Sequence, residues 1–153
     1  EIGAALGMRV IVCTRTRRPG CPFPYVDKET LFSQSDFLSL HCPQTPETQG
    51  LIDARALAKM KRTAILINMA RGGLIDESAL AAALNENRIA GAYLDVVSEE
   101  PVRADNPLLK AKNCRLTPHV AWQPLETRLR LHKRVEEHLA AFLSGSPRDV
   151  VGV

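Results

Sequence analysis

Residues 63–73 read TAILINMARGG, an apolar run that ends in two glycines. The segment 63–69 has no helical period, which is typical of a strand buried on both faces. Asp76 follows the glycines and is placed to cap a helix that extends to about Arg88. A buried strand followed at once by a capped helix is the repeating unit of a parallel α/β sheet.

The same alternation continues in both directions along the chain. Upstream, MRVIVCT at residues 8–14 predicts another strand buried on both faces, preceded by a segment that ends like a helix at Gly7. We therefore predict an α/β fold with a doubly wound, Rossmann-like parallel sheet and right-handed crossovers. The predicted strands are 9–14, 36–43, 63–69, 89–97 and 114–119, and the predicted helices are a short one after Asp27, one around 54–60, one from 76 to about 88 and one over 124–144.

Composition is that of one globular domain. The chain has 153 residues, of which 45% are apolar and 24% charged, so disorder, collagen and coiled coil are excluded. A formal net charge of +3 is too small to argue for a nucleic-acid or membrane partner. No apolar run reaches the roughly 20 residues of a membrane span and no signal peptide is recognised, so we expect a cytoplasmic protein.

Two further features concern the cysteines and the chain start. The four cysteines are scattered, with no CxxC pair and no histidine at zinc-finger spacing, so neither a metal site nor a disulfide framework is predicted. The first residue is Glu1, in what reads as the middle of a helix. We therefore expect the fold to be incomplete at its N-terminus.

The candidate ligand site lies beyond the strands. In an open α/β sheet, ligands bind outside the carboxyl ends of the strands. The residues that follow the predicted strands are Thr14, His41, Arg71, Asp95 and His119.

An arginine, an acid and a histidine among these loops suit one reaction. Arg71 could clamp a carboxylate, Glu100 could keep a histidine charged, and His119 could act as general acid. Each has a plain alternative: a surface arginine in a common glycine turn, a solvated acidic loop, and a histidine without a catalytic role. Their placement after three different strands favours a cleft that reduces a 2-keto acid.

Four segments together resemble one family. LHCPQTPETQGLI (40–52), INMARGGLIDESALAAAL (67–84), GAYLDVVSEEP (91–101) and LTPHVAW (116–122) are similar, in order and spacing, to the signatures of the D-isomer-specific 2-hydroxyacid dehydrogenases. The segment HVAW, which contains Trp122, resembles the segment after the histidine in glycerate dehydrogenases and hydroxypyruvate/glyoxylate reductases more than that in phosphoglycerate dehydrogenases. The resemblance implies a nicotinamide-dependent oxidoreductase and covers the later part of a family member.

The resemblance also implies roles for individual residues. Arg71 would bind the substrate carboxylate, His119 would exchange the proton, and Glu100 would support His119. Asp95 would contact the nicotinamide carboxamide. The other implied cofactor contacts are His41, Cys42, Pro43, Thr48, Met69 and Ala70.

The cofactor and domain predictions rest partly on departures from the family pattern. The glycine-rich phosphate loop is expected just before Glu1 and is not in this chain. Thr14 and Arg15, with more arginines behind them, stand where NAD users often place Asp, which favours NADP over NAD; the alternative is a solvated basic loop. We predict a dinucleotide-binding domain over 1–123, and a C-terminal helix and tail over 124–153 that return toward the substrate domain.

The partner predictions and the rival functions follow from the same resemblance. We expect a small 2-keto or 2-hydroxy acid as substrate, a homodimer, no metal, and no nucleic-acid or membrane partner. No aromatic stacking positions accompany the arginines, which argues against nucleic acid. The rivals are a dinucleotide-sensing, corepressor-like relative that acts through protein partners, and an inactive fragment of the enzyme.

Overall fold

A computed structural model describes residues 1–151 of the chain. The chain divides into two compact units, Glu1–Pro118 and a second that starts at His119. The predicted division at residues 123 and 124 stays a prediction, and residues 152–153 of the predicted tail lie outside the described residues.

The first unit is built on a parallel sheet of four strands. The strands are β1 (Phe37–Leu40), β2 (Ile65–Asn68), β3 (Gly91–Leu94) and β4 (Cys114–Leu116). They neighbour one another in chain order, and every pair is parallel. The predicted Rossmann-like α/β architecture is confirmed.

Helices connect the strands and begin where aspartates cap them. The helices of this unit are α1 (Ile2–Ala5), α2 (Lys28–Gln34), α3 (Ala54–Lys59) and α4 (Glu77–Asn85), with 3-10 turns at Gly72–Leu74 and Pro107–Lys110. Asp27, Asp53 and Asp76 stand at the N-caps of α2, α3 and α4, and each carboxylate accepts a hydrogen bond from a backbone N–H of the first turn. Each cap satisfies a donor that has no partner within its helix. The sequence predicts the caps at Asp27 and Asp76, and the structure adds the one at Asp53.

The core lies on one face of this sheet. Alternate strand residues such as Leu38, Leu66 and Leu94 are buried and belong to one apolar cluster with Leu80 and Leu84 of α4. The opposite face is more open, since Phe37 keeps 54% and Tyr93 51% of its surface exposed. The buried face holds the strands in register, because a slip by one residue would turn its side chains outward.

The predicted first strand differs from expectation. Residues 9–14 do not join the four-stranded sheet and form a single parallel bridge, Val12 with Tyr25. Val12 donates to the Pro24 carbonyl at 3.0 Å and accepts from the Val26 N–H at 2.9 Å. Residues 10–13 are half-buried, so the prediction of burial on both faces is wrong. An apolar run shows only a preference for burial, which a neighbouring element has to provide.

The second unit contains one long helix, α5 (Leu125–Leu143), close to the predicted range. None of its residues is buried. Within residues 1–151, no helix is both long enough and apolar enough to cross a membrane.

Candidate active site

Strand register brings the segments that follow β1, β2 and β3, which carry most of the predicted site residues, to one edge of the sheet. Thr14 and Arg15 are not placed there by register, because residues 9–14 do not join the sheet. The last residues of β1, β2 and β3 are paired across the sheet as Leu40 with Asn68 and Asn68 with Leu94. Leu94 pairs in turn with Leu116 of β4. The segments that start at His41, Met69, Asp95 and Thr117 therefore leave the sheet side by side, as predicted for the carboxyl ends of parallel strands.

Asn68 shapes the turn that carries Arg71. Its side chain is 0% exposed, its Nδ2 donates to the Arg71 carbonyl at 2.9 Å, and its Oδ1 accepts from the Ala70 N–H at 3.0 Å. Both halves of a buried amide are thus satisfied by the turn itself. Sequence reasoning missed this residue, although a polar side chain within the apolar run 64–69 was the available signal.

Arg71 stands exposed at the end of this turn, with an extended backbone. Its Nη1 donates to the Ala70 carbonyl at 2.7 Å. A guanidinium has five N–H donors in a planar fork, so this hydrogen bond leaves it able to bind a carboxylate through two parallel bonds.

Gly72 lets a second loop reach the Arg71 turn. A Cβ on Gly72 would lie 1.9 Å from the carbonyl carbon of Val97 and 2.4 Å from the nitrogen of Ser98. No side chain fits in that space, because the Val97–Ser98 peptide occupies it. The turn with Arg71 and the loop with Glu100 are therefore in direct backbone contact.

Glu100 is exposed in the loop that follows β3. Its Oε1 accepts from the Val97 N–H at 3.3 Å, which draws the side chain back over its own loop. Glu99, beside it, is 3.7 Å from the Nη1 of Arg103. The two adjacent acids therefore have different surroundings.

Asp95 is the buried acid of this edge, with 5% of its surface exposed. The Thr117 hydroxyl donates a short hydrogen bond to its Oδ1. Thr117 was not among the predicted site residues, although it directly precedes the Pro118–His119 pair. The hydroxyl fixes one oxygen of the carboxylate, which orients the group at the edge of the sheet.

His119 begins the second unit and is exposed. Its φ is +54°, in the left-handed region that non-glycine residues seldom occupy. The Trp122 Nε1 donates to the His119 carbonyl at 2.7 Å, so the tryptophan holds the turn that carries the histidine. Whether His119 meets Arg71 and Glu100 stays a prediction.

The predicted cofactor loop after β1 is tied together by Thr48. The Thr48 hydroxyl donates to the Pro43 carbonyl at 2.7 Å and accepts from the Thr45 N–H at the same distance. His41 shares a hydrogen bond of 2.8 Å with the Ser39 hydroxyl, and Cys42 is half-buried. The Thr45 hydroxyl lowers the pKa of the neighbouring Glu47.

The loop after β1 is hydrogen-bonded to the turn that carries Arg71. The Gly50 N–H donates to the Gly73 carbonyl at 2.9 Å, and the Ile52 N–H donates to the Leu74 carbonyl at the same distance. Met69, which starts the turn, is 59% exposed. Three predicted cofactor-contacting segments, those of His41 to Thr48, Met69 to Ala70 and Asp95, therefore share one edge.

The arginine-rich loop is organised by Tyr25. Its hydroxyl accepts from the Arg18 N–H at 2.9 Å, and the Arg17 guanidinium lies 5.4 Å above its ring. Thr14 donates to the Thr16 carbonyl at 3.3 Å, and Arg15 is exposed. Arg17 is thus engaged in stacking, and Arg15 is the better candidate to meet a phosphate.

Among residues 1–151, no group of three or more His, Cys, Asp or Glu side chains is placed to hold a metal ion.

Parallel strands with polar loops at their carboxyl ends define a Rossmann-like nucleotide-binding fold, and comparison with known proteins gives the family. The profile described as "D-isomer specific 2-hydroxyacid dehydrogenase, NAD binding domain" matches residues 1–121. The chain belongs to the D-isomer-specific 2-hydroxyacid dehydrogenase family, as its motifs predict.

Curated relatives carry related names. A hydroxypyruvate reductase of Blautia hydrogenotrophica is 47% identical over 99% of this chain and 48% of its own length. A glycerate dehydrogenase of Methylorubrum extorquens is 46% identical over 96% of this chain and 46% of its own. The chain therefore spans about half the length of these relatives.

Solved structures agree with the fold. A D-lactate dehydrogenase with NAD+ from Lactobacillus jensenii superposes with a TM-score of 0.91 at 30% identity, covering 99% of this chain and 50% of that one. An acyclic imino acid reductase in complex with NADPH and D-Arg has a TM-score of 0.90 at 36% identity, covering 99% and 48%. One of these neighbours holds NAD+ and the other NADPH, so the fold that they share accepts either dinucleotide.

Proposed function

We propose that this chain is the dinucleotide-binding part of an NAD(P)H-dependent reductase of small 2-keto acids, with hydroxypyruvate or glyoxylate as substrate. The observation that carries the proposal is the backbone contact at Gly72, which joins the Arg71 turn to the loop of Glu100. Names of relatives at 46% and 47% identity support the substrate class.

The residues at the edge fit a nicotinamide cofactor. Asp95 is a buried carboxylate oriented by Thr117, and Met69, the residue after the neighbouring strand β2, has an exposed apolar side chain. Asp95 would hold the carboxamide, and the His41 to Thr48 loop and the Met69–Ala70 backbone would line the rest of the cofactor. When bound, the nicotinamide supplies the hydride for the carbonyl carbon.

The protein side chains then divide the remaining work. Arg71 binds the substrate carboxylate through its planar fork and orients the carbonyl. His119 donates a proton to the carbonyl oxygen as the alcohol forms. Glu100 favours the charged form of His119, because an opposite charge nearby stabilises an imidazolium.

We propose NADPH as the preferred cofactor. Arg15 is exposed after the first predicted strand, where a carboxylate for the ribose 2′-hydroxyl would otherwise stand, and a guanidinium suits a 2′-phosphate. Arg15→Ala should raise KM for NADPH about tenfold and leave KM for NADH unchanged. Arg55→Ala, at an exposed arginine of α3, is the matched control.

Steady-state kinetics of the full-length protein test the function. Hydroxypyruvate and glyoxylate are supplied with NADPH or NADH, and oxidation is followed by nicotinamide absorbance. Turnover that favours NADPH supports both proposals, and turnover that favours NADH keeps the enzyme and refutes the role of Arg15. Absence of turnover across a panel of 2-keto acids, with the dinucleotide still bound, would favour the sensing relative.

Replacement of the histidine tests the mechanism. His119→Ala should lower kcat at least a hundredfold because the general acid is lost, while the Kd for NADPH, measured by fluorescence titration, stays unchanged. His132→Ala on α5 is the matched control. Unchanged turnover in His119→Ala would refute the assignment.

The homodimer and the cytoplasmic location stay predictions. Light scattering on the full-length protein gives the mass that decides the first.

A further inference from the structure

Three donors converge on one carboxylate near the candidate site. The Oε1 of Glu77 accepts from the Ser98 N–H at 2.7 Å. Its Oε2 accepts from the Ser98 hydroxyl at 2.8 Å and from the Asn106 Nδ2 at 2.9 Å. Glu77 is half-buried and the first residue of α4, so these bonds tie a loop to a helix that is distant in sequence.

Asn106 extends this arrangement to the next element. Its Oδ1 accepts from the Leu108 N–H at 2.9 Å and caps the 3-10 turn that starts at Pro107. The segment between Ser98 and Asn106 is therefore tied to the same glutamate at both ends. Glu100 lies within this segment.

The loop is confined on its other side as well. The Val97–Ser98 peptide rests on Gly72, where no Cβ could be accommodated. Ser98 is thus held by Glu77 through both its N–H and its hydroxyl, while its peptide packs on the turn of Arg71. A position fixed from two sides leaves the loop little freedom to shift.

We propose that Glu77 is a positioning residue, which holds the Ser98–Asn106 loop on the Arg71 turn and thereby places the Glu100 carboxylate for its work. The inference rests on the proposed function, since Glu100 has to support His119 for its position to affect turnover. Nothing in the geometry requires Glu77 to touch substrate or cofactor. Its effect passes through the loop.

The hydrogen-bonding groups of the Glu77 side chain matter for this role. A carboxylate offers only acceptors, which matches three donors, whereas an amide has one oxygen and two N–H donors. In Glu77→Gln, one half of the amide would bring its N–H groups against the donors of Ser98 or Asn106. An isosteric change therefore disrupts the contact without leaving a cavity.

Kinetics of the full-length protein test the proposal. Glu77→Gln should lower kcat about tenfold and leave KM for NADPH unchanged, because the cofactor contacts lie on other segments. The pH at which turnover falls on the alkaline side should move lower, as in Glu100→Gln, since both changes weaken support for a charged histidine. Glu86→Gln is the control, at the other end of the same helix, where the carboxylate lies 3.0 Å from Arg88.

A double substitution separates positioning from a general loss of stability. If Glu77 acts through Glu100, adding Glu77→Gln to Glu100→Gln should change kcat less than twofold. Amide exchange should show faster exchange at Ser98 in Glu77→Gln and not in Glu86→Gln. An additive effect on kcat, or unchanged exchange at Ser98, overturns the inference.

The failures of the two proposals can be told apart. Glu100→Gln with unchanged kcat would refute the proposed role of Glu100, and the positioning inference would fall with it. If Glu100→Gln lowers kcat and Glu77→Gln leaves it unchanged, the positioning role of Glu77 is refuted and the role of Glu100 stands.

Discussion

Asn68 shows how one side chain can set the geometry of a loop. It ends the most apolar strand of the sheet, yet it is completely buried and its amide bonds only to the turn that follows. A buried amide is tolerated where both its donor and its acceptor are satisfied. The backbone that leads to Arg71 is therefore determined from inside the core.

Replacing this amide should damage the turn. Asn68→Leu keeps the volume similar and leaves the Ala70 N–H and the Arg71 carbonyl without their partner, so we expect the free energy of unfolding to fall by about 2–5 kcal/mol. Urea denaturation followed by circular dichroism measures the change.

Asn85→Leu is the matched control for this prediction. Asn85 is exposed and its Oδ1 accepts from the Lys112 N–H, so water can replace the lost bond and the loss should stay below about 1 kcal/mol. Equal losses in both variants would show that burial of the Asn68 amide is not what matters.

At the scale of elements, the glycine pair of the ARGG turn separates two different constraints. Gly72 packs against backbone atoms of Val97 and Ser98, which can make room only if the loop itself shifts. Gly73 faces the end of the Gln44 side chain, which can rotate. The two neighbours should therefore respond differently to the same substitution.

Gly72→Ala should separate the Arg71 turn from the loop of Glu100. The added Cβ would lie 1.9 Å from the Val97 carbonyl carbon, so the loop has to shift, at about 1–3 kcal/mol of stability. The kcat/KM of the full-length protein should fall at least tenfold, because two residues of the proposed site separate. Gly73→Ala should cost less in both measurements. Equal effects on urea midpoint and kcat/KM would contradict the packing argument.

For the molecule as a whole, packing around the sheet makes the free energy of unfolding change with pH in the alkaline range. Burial raises the pKa of Cys114 on β4 to about 11. The folded chain keeps the proton while an unfolded thiol releases it from about pH 8.5, so this contribution to stability is present below that pH. It is lost as the pH rises toward 11.

The raised pKa of Cys114 predicts that the dependence of stability on alkaline pH weakens when this residue is replaced. The urea midpoint should fall between pH 8.5 and pH 10.5, and it should fall less steeply in Cys114→Ala, since no thiol is then ionised on unfolding. Cys21→Ala is the control, because the pKa of that thiol is shifted in the opposite direction. The backbone of Phe23 lowers it most, and the Tyr25 hydroxyl lowers it further. Identical slopes for the parent chain and Cys114→Ala would rule out the sheet thiol as the source.

Local sequence determined much of this protein. Apolar runs predicted the four sheet strands, and Asp27 and Asp76 predicted where α2 and α4 begin, because a cap involves only neighbours in the chain. The family motifs gave the family and the expected roles of Arg71, Glu100 and His119, and the family is confirmed by the match over residues 1–121.

How the site is supported depends on long-range packing that local sequence does not reveal. Residues 9–14 have the composition of a buried strand, yet only residues 10–13 are half-buried, because burial depends on what packs against them. Asn68 bonds to residues two and three positions ahead, but its burial depends on what packs around the sheet. The bonds of Glu77 to Ser98 and of Thr117 to Asp95 join segments that meet across the fold. Secondary structure and motifs arise from residues close in sequence, whereas these contacts join segments that meet only after the chain has folded.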